Sequence, residues 1–379
     1  MTKISQNCDD QITLLWRTGK KVKKVNENCE LPWDVLDIIC KRLDFDDLFH
    51  FAGVCNNWRA FHKIYWTNFL TSQEPLLLIS SKHPNTGKKS YTLTTISDQK
   101  VYCLKIKRPI YSSYVTTSSG YFITVGYNNS FILVNPFSRI NKVINVSTFE
   151  VESLGLAIRA LLAFGKCSEE FVLVVFNDIF GSGSLNVYQS RSCGWVTYSM
   201  MENQGKFADF AVFHNKIYVI TNKGNIGVIN LNSANITFLK LKSTPNATIA
   251  TLYRWLICCD EQLLVVDIRC GKTLPDVYKI DFSTMNYVKL ETLGDIALFY
   301  VKSRNCYALS NPNRWGYERN SMYVMSITST MECSVHSWDD KELQKYITLP
   351  THASPGRSPR MIDWCFRHLR YEVDYSLVE

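Results

Sequence analysis

Strand-like clusters begin near Leu76, Tyr121, Phe171, Ile217 and Leu263, at intervals of 45, 50, 46 and 46 residues. No other property of the chain restricts its fold so tightly. Each cluster holds short runs rich in Val, Ile, Tyr and Phe, separated by Asn, Gly, Ser and Lys, the composition of strands and their turns. The internal order recurs too. Gly120-Tyr121-Phe122-Ile123-Thr124-Val125 leads through Asn128-Asn129 to Phe131-Ile132-Leu133-Val134-Asn135. Asn215-Lys216-Ile217-Tyr218-Val219-Ile220 leads through Lys223-Gly224-Asn225 to Ile226-Gly227-Val228-Ile229-Asn230. Ser321-Met322-Tyr323-Val324-Met325 is a third version, with Cys333-Ser334-Val335-His336 as its second strand. A period of about 45 residues containing about four short strands is the size of a propeller blade. A blade cannot bury its apolar face alone, so blades stack around a channel, and closing the ring hides the sheet edges. The segment Ile296 to Ile347 supplies one more blade or closes the ring. Because the repeats are degenerate, a large β-sandwich or split sheet is the alternative. The expected fold is therefore mainly β, a degenerate β-propeller behind a small α-helical N-terminal module. One longer helix is expected in the body, over Val151 to Phe164.

The helical module is residues 31 to 61, LPWDVLDIICKRLDFDDLFHFAGVCNNWRAF. Pro32 suits the first turn of a helix, where its missing N–H costs nothing, and Asp34 suits the positive end of the helix dipole. Val35, Leu36, Ile38, Ile39 and Leu43 form an apolar stripe, so a helix is expected to run to Leu43. Asp46 or Asp47 is placed to cap a second helix. Gly53 is expected to loosen that second run, at a cost of up to ~1 kcal/mol. Val54, Cys55, Trp58, Phe61 and His62 then follow at helical spacing towards Tyr65, Trp66 and Phe69. So short a module cannot bury enough surface to be stable alone; it rests on the rest of the chain, on a partner, or on both. The expected boundaries are a flexible basic tail over 1–28, the helical module and a linker helix over 29–74, the β-rich body over 75–350 and a C-terminal extension over 351–379.

Composition narrows the function class. No run of about 18 apolar residues exists, so no membrane span is expected. The patch Ile12 to Trp16 is too short and wrongly flanked for a secretory signal. The 13 cysteines are scattered and never spaced CxxC, which fits reduced thiols in the cytosol or nucleus and drains meaning from the sequons at Asn128, Asn145, Asn235 and Asn246. The net charge is +8; part of it sits in Lys20, Lys21, Lys23 and Lys24, which fit either a nuclear-import patch or a solvated tail.

The order and spacing of Leu31-Pro32, Ile38-Ile39, Leu43, Asp47-Leu48 and Val54-Cys55-Asn56-Asn57-Trp58-Arg59 resemble the F-box. Two positions depart from it: Asp34 stands where Glu is commoner, and Ala52-Gly53 where bulkier or charged residues are usual. From Leu76 to Ile347 the chain resembles the C-terminal domain of a large plant group of F-box proteins, the KIB-type β-propeller. The pieces that carry this resemblance are Ser119-Gly120-Tyr121 with Leu133-Val134-Asn135-Pro136, Phe213-His214-Asn215-Lys216-Ile217-Tyr218, Val277-Tyr278-Lys279-Ile280-Asp281 with Leu293-Gly294-Asp295-Ile296-Ala297-Leu298-Phe299, and Asn320-Ser321-Met322-Tyr323. The resemblance implies a substrate-recognition subunit of an SCF-type E3 ubiquitin ligase, in the nucleus or cytoplasm. The module would dock on a Skp-type adaptor and through it on cullin and RING subunits, while the β-rich body captures a protein substrate that the sequence does not name. Adaptor binding or packing of the module is expected from Leu31, Pro32, Ile38, Ile39, Leu43, Leu48, Val54, Cys55, Trp58 and Arg59. Loop tips such as Asn128-Asn129 and Lys223-Gly224 are candidates for the substrate's border.

No local motif points to chemistry carried by the chain, so no catalytic residue, cofactor or metal is expected. His83 to Ser90 lacks the first glycine of a phosphate loop, Lys89 splits its Lys-Ser pair, and the segment reads as a hairpin turn. Cys258 and Cys259 are adjacent and point to opposite faces of a strand, and no histidine joins cysteines at zinc spacing. The serines and seven histidines offer no nucleophile elbow. Basic and aromatic residues interleave over Lys105 to Tyr114 and Arg357 to Arg370, but alternating strands with a solvated face produce that pattern more often than nucleic-acid binding does. Two other readings stay open: a scaffold whose helices no longer recruit a ligase, and a propeller enzyme or small-ligand receptor with its site in the channel.

Overall fold

The computed structural model describes residues 31–40, 42–43, 45–72, 74–82, 89–97, 99–104, 113–126, 130–137, 142–146, 158–166, 169–177, 184–200, 202–245, 251–270, 274–301, 304–326, 332–349, 358–366 and 370–375. Two compact units divide the chain, with the break between Leu70 and Thr71. Glu74, expected at the end of the module, is anchored in the body instead. Its carboxylate accepts from Ser97 Oγ at 2.5 Å and from the Tyr317 hydroxyl at 2.8 Å.

The helical unit contains α1 (Trp33–Cys40), α2 (Phe45–Phe51) and α3 (Asn56–Ser72). The Pro32 carbonyl accepts the first intrahelical bond, from Leu36 N at 3.1 Å, and Asp34 lies in the first turn. Regular helix stops short of the expected Leu43. Arg42 N bonds Ile39 O and Leu43 N bonds Cys40 O, the tighter three-residue bonds with which a helix end satisfies its last carbonyls. Asp46 and Asp47 fall inside α2 rather than at its cap, since α2 already begins at Phe45. The expectation about Gly53 is also corrected. α2 ends at Phe51, and Gly53 N→His50 O and Val54 N→Phe51 O close a turn, so no helix bears the cost of that glycine.

The body is a six-bladed β-propeller-like arrangement, with six sheets among the described residues. The sheets follow the chain in order, and the expected cluster starts fall at or within one residue of the first or second strand of successive blades. The inner strands Ser358–Cys365, Ser113–Ser118, Ile158–Gly165, Phe207–Phe213, Thr251–Cys259 and Asn305–Ser310 each touch the next, and the last touches the first, so they ring a channel. Apolar cores fill the spaces between neighbouring blades, as stacking of half-buried sheets requires. Two-residue turns with both φ values positive, Ser119-Gly120 and His214-Asn215, connect first to second strands in the second and fourth blades. That geometry matches the right-handed twist of the strands it joins. The hairpin expected around His83 to Ser90 is present as paired strands Leu76–Lys82 and Lys89–Thr94; its tip lies outside the described residues. In the sixth blade Ile296–Val301 pairs in parallel with Ser321–Met325, and Glu332–Ser337 follows antiparallel, as the third repeat implied.

Two expectations fail here for physical reasons. Residues 158–165 form a strand, not the end of a helix, while 151–157 lie outside the described residues. Leu161 and Ala163 face the core shared with the fourth blade, whereas Ala160, Leu162 and Phe164 face the core shared with the second. Burial on both faces removes the alternation that marks a strand in sequence. Second, the segment 351–379 is not a mere extension. Ser358–Cys365 pairs antiparallel with Leu76–Lys82 and becomes the inner strand of the first blade, closing the ring with the far end of the chain.

Candidate functional site

In the helical unit, Leu36, Cys40, Leu48, Phe51 and Phe61 form the buried core, with Ile39, Leu43, Trp58 and Tyr65 packed half-buried against it. The Trp58 ring lies 4.4 Å from that of Phe51, tilted by 31°. Cys55 is half-buried at the start of α3, where its carbonyl accepts from Arg59 N. The Arg59 guanidinium returns to the preceding turn, Nε donating to Ala52 O at 3.3 Å. Of the residues expected to pack the module or meet a partner, the structure therefore turns Ile39, Leu43, Leu48 and Trp58 inward.

Leu31, Pro32, Ile38, Val54 and Arg59 are exposed. Ile38 and Val54 leave 61 % and 60 % of their surface open. Two further exposed apolar residues, Trp33 and Ile64, were not singled out by the sequence. Trp33 Nε1 donates to Asn57 Oδ1 at 3.1 Å, and Asn57 Nδ2 donates to Leu31 O at 3.4 Å. The Trp33 ring meets Phe61 edge-on at 5.7 Å. Thus the Leu31-Pro32 segment is held to α3 while its apolar side chains stay in solvent. The signal for Ile38 was legible: it lies two residues from both Leu36 and Cys40, roughly 200° around the helix, so it must point away when they point in.

The channel end of the body is polar and tightly filled. Arg159 pairs with Asp209 at 3.3 Å and lies over the Trp255 ring, 3.7 Å from its centroid. Asp209 also accepts from Leu256 N at 2.8 Å, and burial pushes its carboxyl up to about 6 despite the arginine. At the ring-closing strand, Asp363 is fully buried and accepts from the Tyr114 hydroxyl at 2.8 Å, from Asn305 Nδ2 at 3.0 and 3.1 Å, and from Trp364 N at 2.9 Å. The space lined by Arg159, Asp209, Trp255, Asn305 and Tyr371 is about 70 Å³, against roughly 300–1,000 Å³ for a small-molecule pocket. Of the basic and aromatic stretch at the far end of the chain, Trp364 and Phe366 are buried in the ring and Arg370 is exposed, while Arg357 and Arg367 lie outside the described residues.

Of the proposed loop tips, Asn128-Asn129 lies outside the described residues. Lys223-Gly224 is a structured turn: Lys223 Nζ donates to Asn203 O at 3.0 Å, and Gly224 has φ +84°, with a Cβ there falling 3.1 Å from Arg254 Nη1. Cys258 and Cys259 occupy opposite faces of one strand, and burial pushes their thiols up to about 11 and about 12, so both are neutral. No group of three or more His, Cys, Asp or Glu side chains that could hold a metal occurs among the described residues.

Residues 29–61 match the F-box domain, and residues 91–347 match the KIB1-4 beta-propeller. Module and body together define an F-box protein with a propeller. The chain belongs to the KIB1-4 beta-propeller family. It is 22 % identical over 330 residues to the F-box/kelch-repeat protein KIB1 of Arabidopsis thaliana, covering 80 % of this chain and 83 % of that one. Two solved structures of AztD from Citrobacter koseri show a weak likeness at 11 % identity. The apo form gives a TM-score of 0.33 over 58 % of this chain and 60 % of that one; the other gives 0.36 over 62 % and 60 %.

Proposed function

We propose that this protein is the substrate-recognition subunit of an SCF-type E3 ubiquitin ligase, working in the nucleus or cytoplasm. The helical unit docks on a Skp-type adaptor, which connects it to cullin and RING subunits, and the propeller holds a protein substrate. The observation that carries this reading is the set of exposed apolar side chains, Trp33 and Ile38 on α1, Leu31 and Pro32 just before it and Val54 in the turn after α2, on a unit with its own buried core. Rigid, exposed apolar groups bind a partner without first being ordered. The chain supplies positioning rather than a nucleophile or acid: holding a substrate lysine near a ubiquitin thioester raises the effective concentration of two reactants. The scaffold alternative loses its helix-weakening argument, because Gly53 sits in a turn after α2. The small-ligand alternative is disfavoured by the filled channel end. The test is co-purification with a Skp-type adaptor, comparing the wild type with Leu31→Ala/Pro32→Ala and with Ile38→Asp. Stoichiometric capture lost in both variants, with the propeller still folded, is the expected result. Undiminished capture by Ile38→Asp would exclude this face, and failure of the wild type to bind would leave a propeller acting alone.

A further inference from the structure

The inner edge of the third blade carries an extra strand. Glu372–Val373 pairs in parallel with the end of Ile158–Gly165, against Phe164 and Gly165. Residues 370–375, with Glu372–Val373 in strand form and Tyr375 in a turn, lie at one mouth of the channel and are bonded on both sides. Phe164 N donates to Tyr371 O at 2.9 Å and Lys166 N to Val373 O at 3.0 Å. Towards the neighbouring blades, Tyr371 N donates to Ser119 Oγ at 3.0 Å and Asp374 N to Asn215 O at 2.9 Å. Asn232 Nδ2 donates to Tyr375 O at 3.1 Å. Side chains alternate as in a bound peptide. Val373 is buried in the core between the third and fourth blades, and the Tyr375 ring lies under the Arg191 guanidinium at 4.2 Å.

We infer that this mouth is a binding groove for an extended peptide with an aliphatic residue two positions before an aromatic one, and that the chain's own residues 370–375 occupy it. Recognition is by strand addition: the backbone amides of Phe164 and Lys166 supply affinity, and the Val373 and Tyr375 positions supply selectivity. The occupying segment is not required to complete the sheet, since the four strands of the fourth and fifth blades stand without an inner fifth. As a tethered segment it competes at an effective concentration of the order of millimolar, so a peptide from another protein must displace it or bind when it is released. The inference does not rest on the adaptor reading.

The experiment uses the full chain, wild type and Val373→Asp, and a fluorescent six-residue peptide with the sequence of residues 370–375. Placing a carboxylate in an apolar core evicts the segment and leaves the groove intact. Peptide binding at least about ten-fold tighter to the variant than to the wild type is expected, with no binding of a peptide carrying Asp in place of its Val. Amide exchange at Phe164 and Lys166 should speed up in the variant and slow again when peptide is added. A folded variant that binds no peptide, or equal binding by both forms, overturns the inference. If the variant does not fold, refolding it with peptide decides the matter: recovery of the β-sheet signal supports the groove, and no recovery overturns it.

Discussion

The guanidinium of Arg159 lies 3.7 Å from the centroid of the Trp255 ring, joining the third blade to the fifth across the channel. The fourth blade joins through Asp209, which holds Arg159 at 3.3 Å and the backbone of Leu256 at 2.8 Å. Three inner strands thus meet at one desolvated ion pair.

Arg159→Met should cost about 3–5 kcal/mol, because it leaves the Asp209 carboxylate buried without its cation. Urea unfolding at pH 8 measures this. The cost should shrink in acid, where Asp209 takes up a proton, and should shrink at every pH in the double variant Arg159→Met/Asp209→Leu.

Asp209 binds its proton more tightly folded than unfolded, at about 6 against an ordinary 3.8. Its contribution to stability is therefore full below about pH 4 and lost as pH rises through about 6. Melting curves of wild type and Asp209→Asn should lie closest near pH 4, where Asp209 is neutral like the asparagine, and separate as pH rises to 7, because the wild type gives up stability over that window that the variant does not. Parallel curves would mean that Asp209 titrates as an ordinary carboxylate.

Asp363→Leu should open the ring at its seam. Tyr114, Asn305 and Trp364 N would each lose an acceptor in a buried site, at ~1–3 kcal/mol per orphaned donor. Asp363→Asn, which keeps one carbonyl oxygen, should cost less. Hydrogen exchange in the paired strand Leu76–Lys82 reports the opening directly.

In the helical unit, Leu48→Ala should cost about 2–5 kcal/mol and melt α2, since Leu48 is wholly buried. Trp58→Ala should cost less than the ~3–5 kcal/mol of a fully buried ring, because Trp58 is half-buried. Ile38→Ala should leave the helical signal unchanged. Circular dichroism with thermal melts separates the three.

The blade period was legible because strands with two-sided burial still need polar turns between them, and those turns recur. Ile158–Gly165 was not, because an inner strand packed on both faces loses its alternation. Ring closure was invisible for another reason: Ser358–Cys365 pairs with Leu76–Lys82, and no local pattern encodes a partner so far away. The family match runs from 91 to 347 and omits both of these strands. In the helical unit the motif residues were legible as a set, but apart from the outward Ile38 their division into inner and outer was not. That division depends on how three short helices meet, and on the Trp33–Asn57 bond that no spacing announces.

Closure by Ser358–Cys365 also sets an order on biosynthesis. At roughly 5–20 residues per second, α1 to α3 leave the ribosome tens of seconds before the strand that completes the ring. Throughout that time the strand Leu76–Lys82 shows an unpaired edge, a template for pairing with any neighbouring chain. A nascent molecule therefore has its helical segment synthesised while the first blade still lacks its inner strand. Chains arrested before residue 358 would keep that edge open to such pairing.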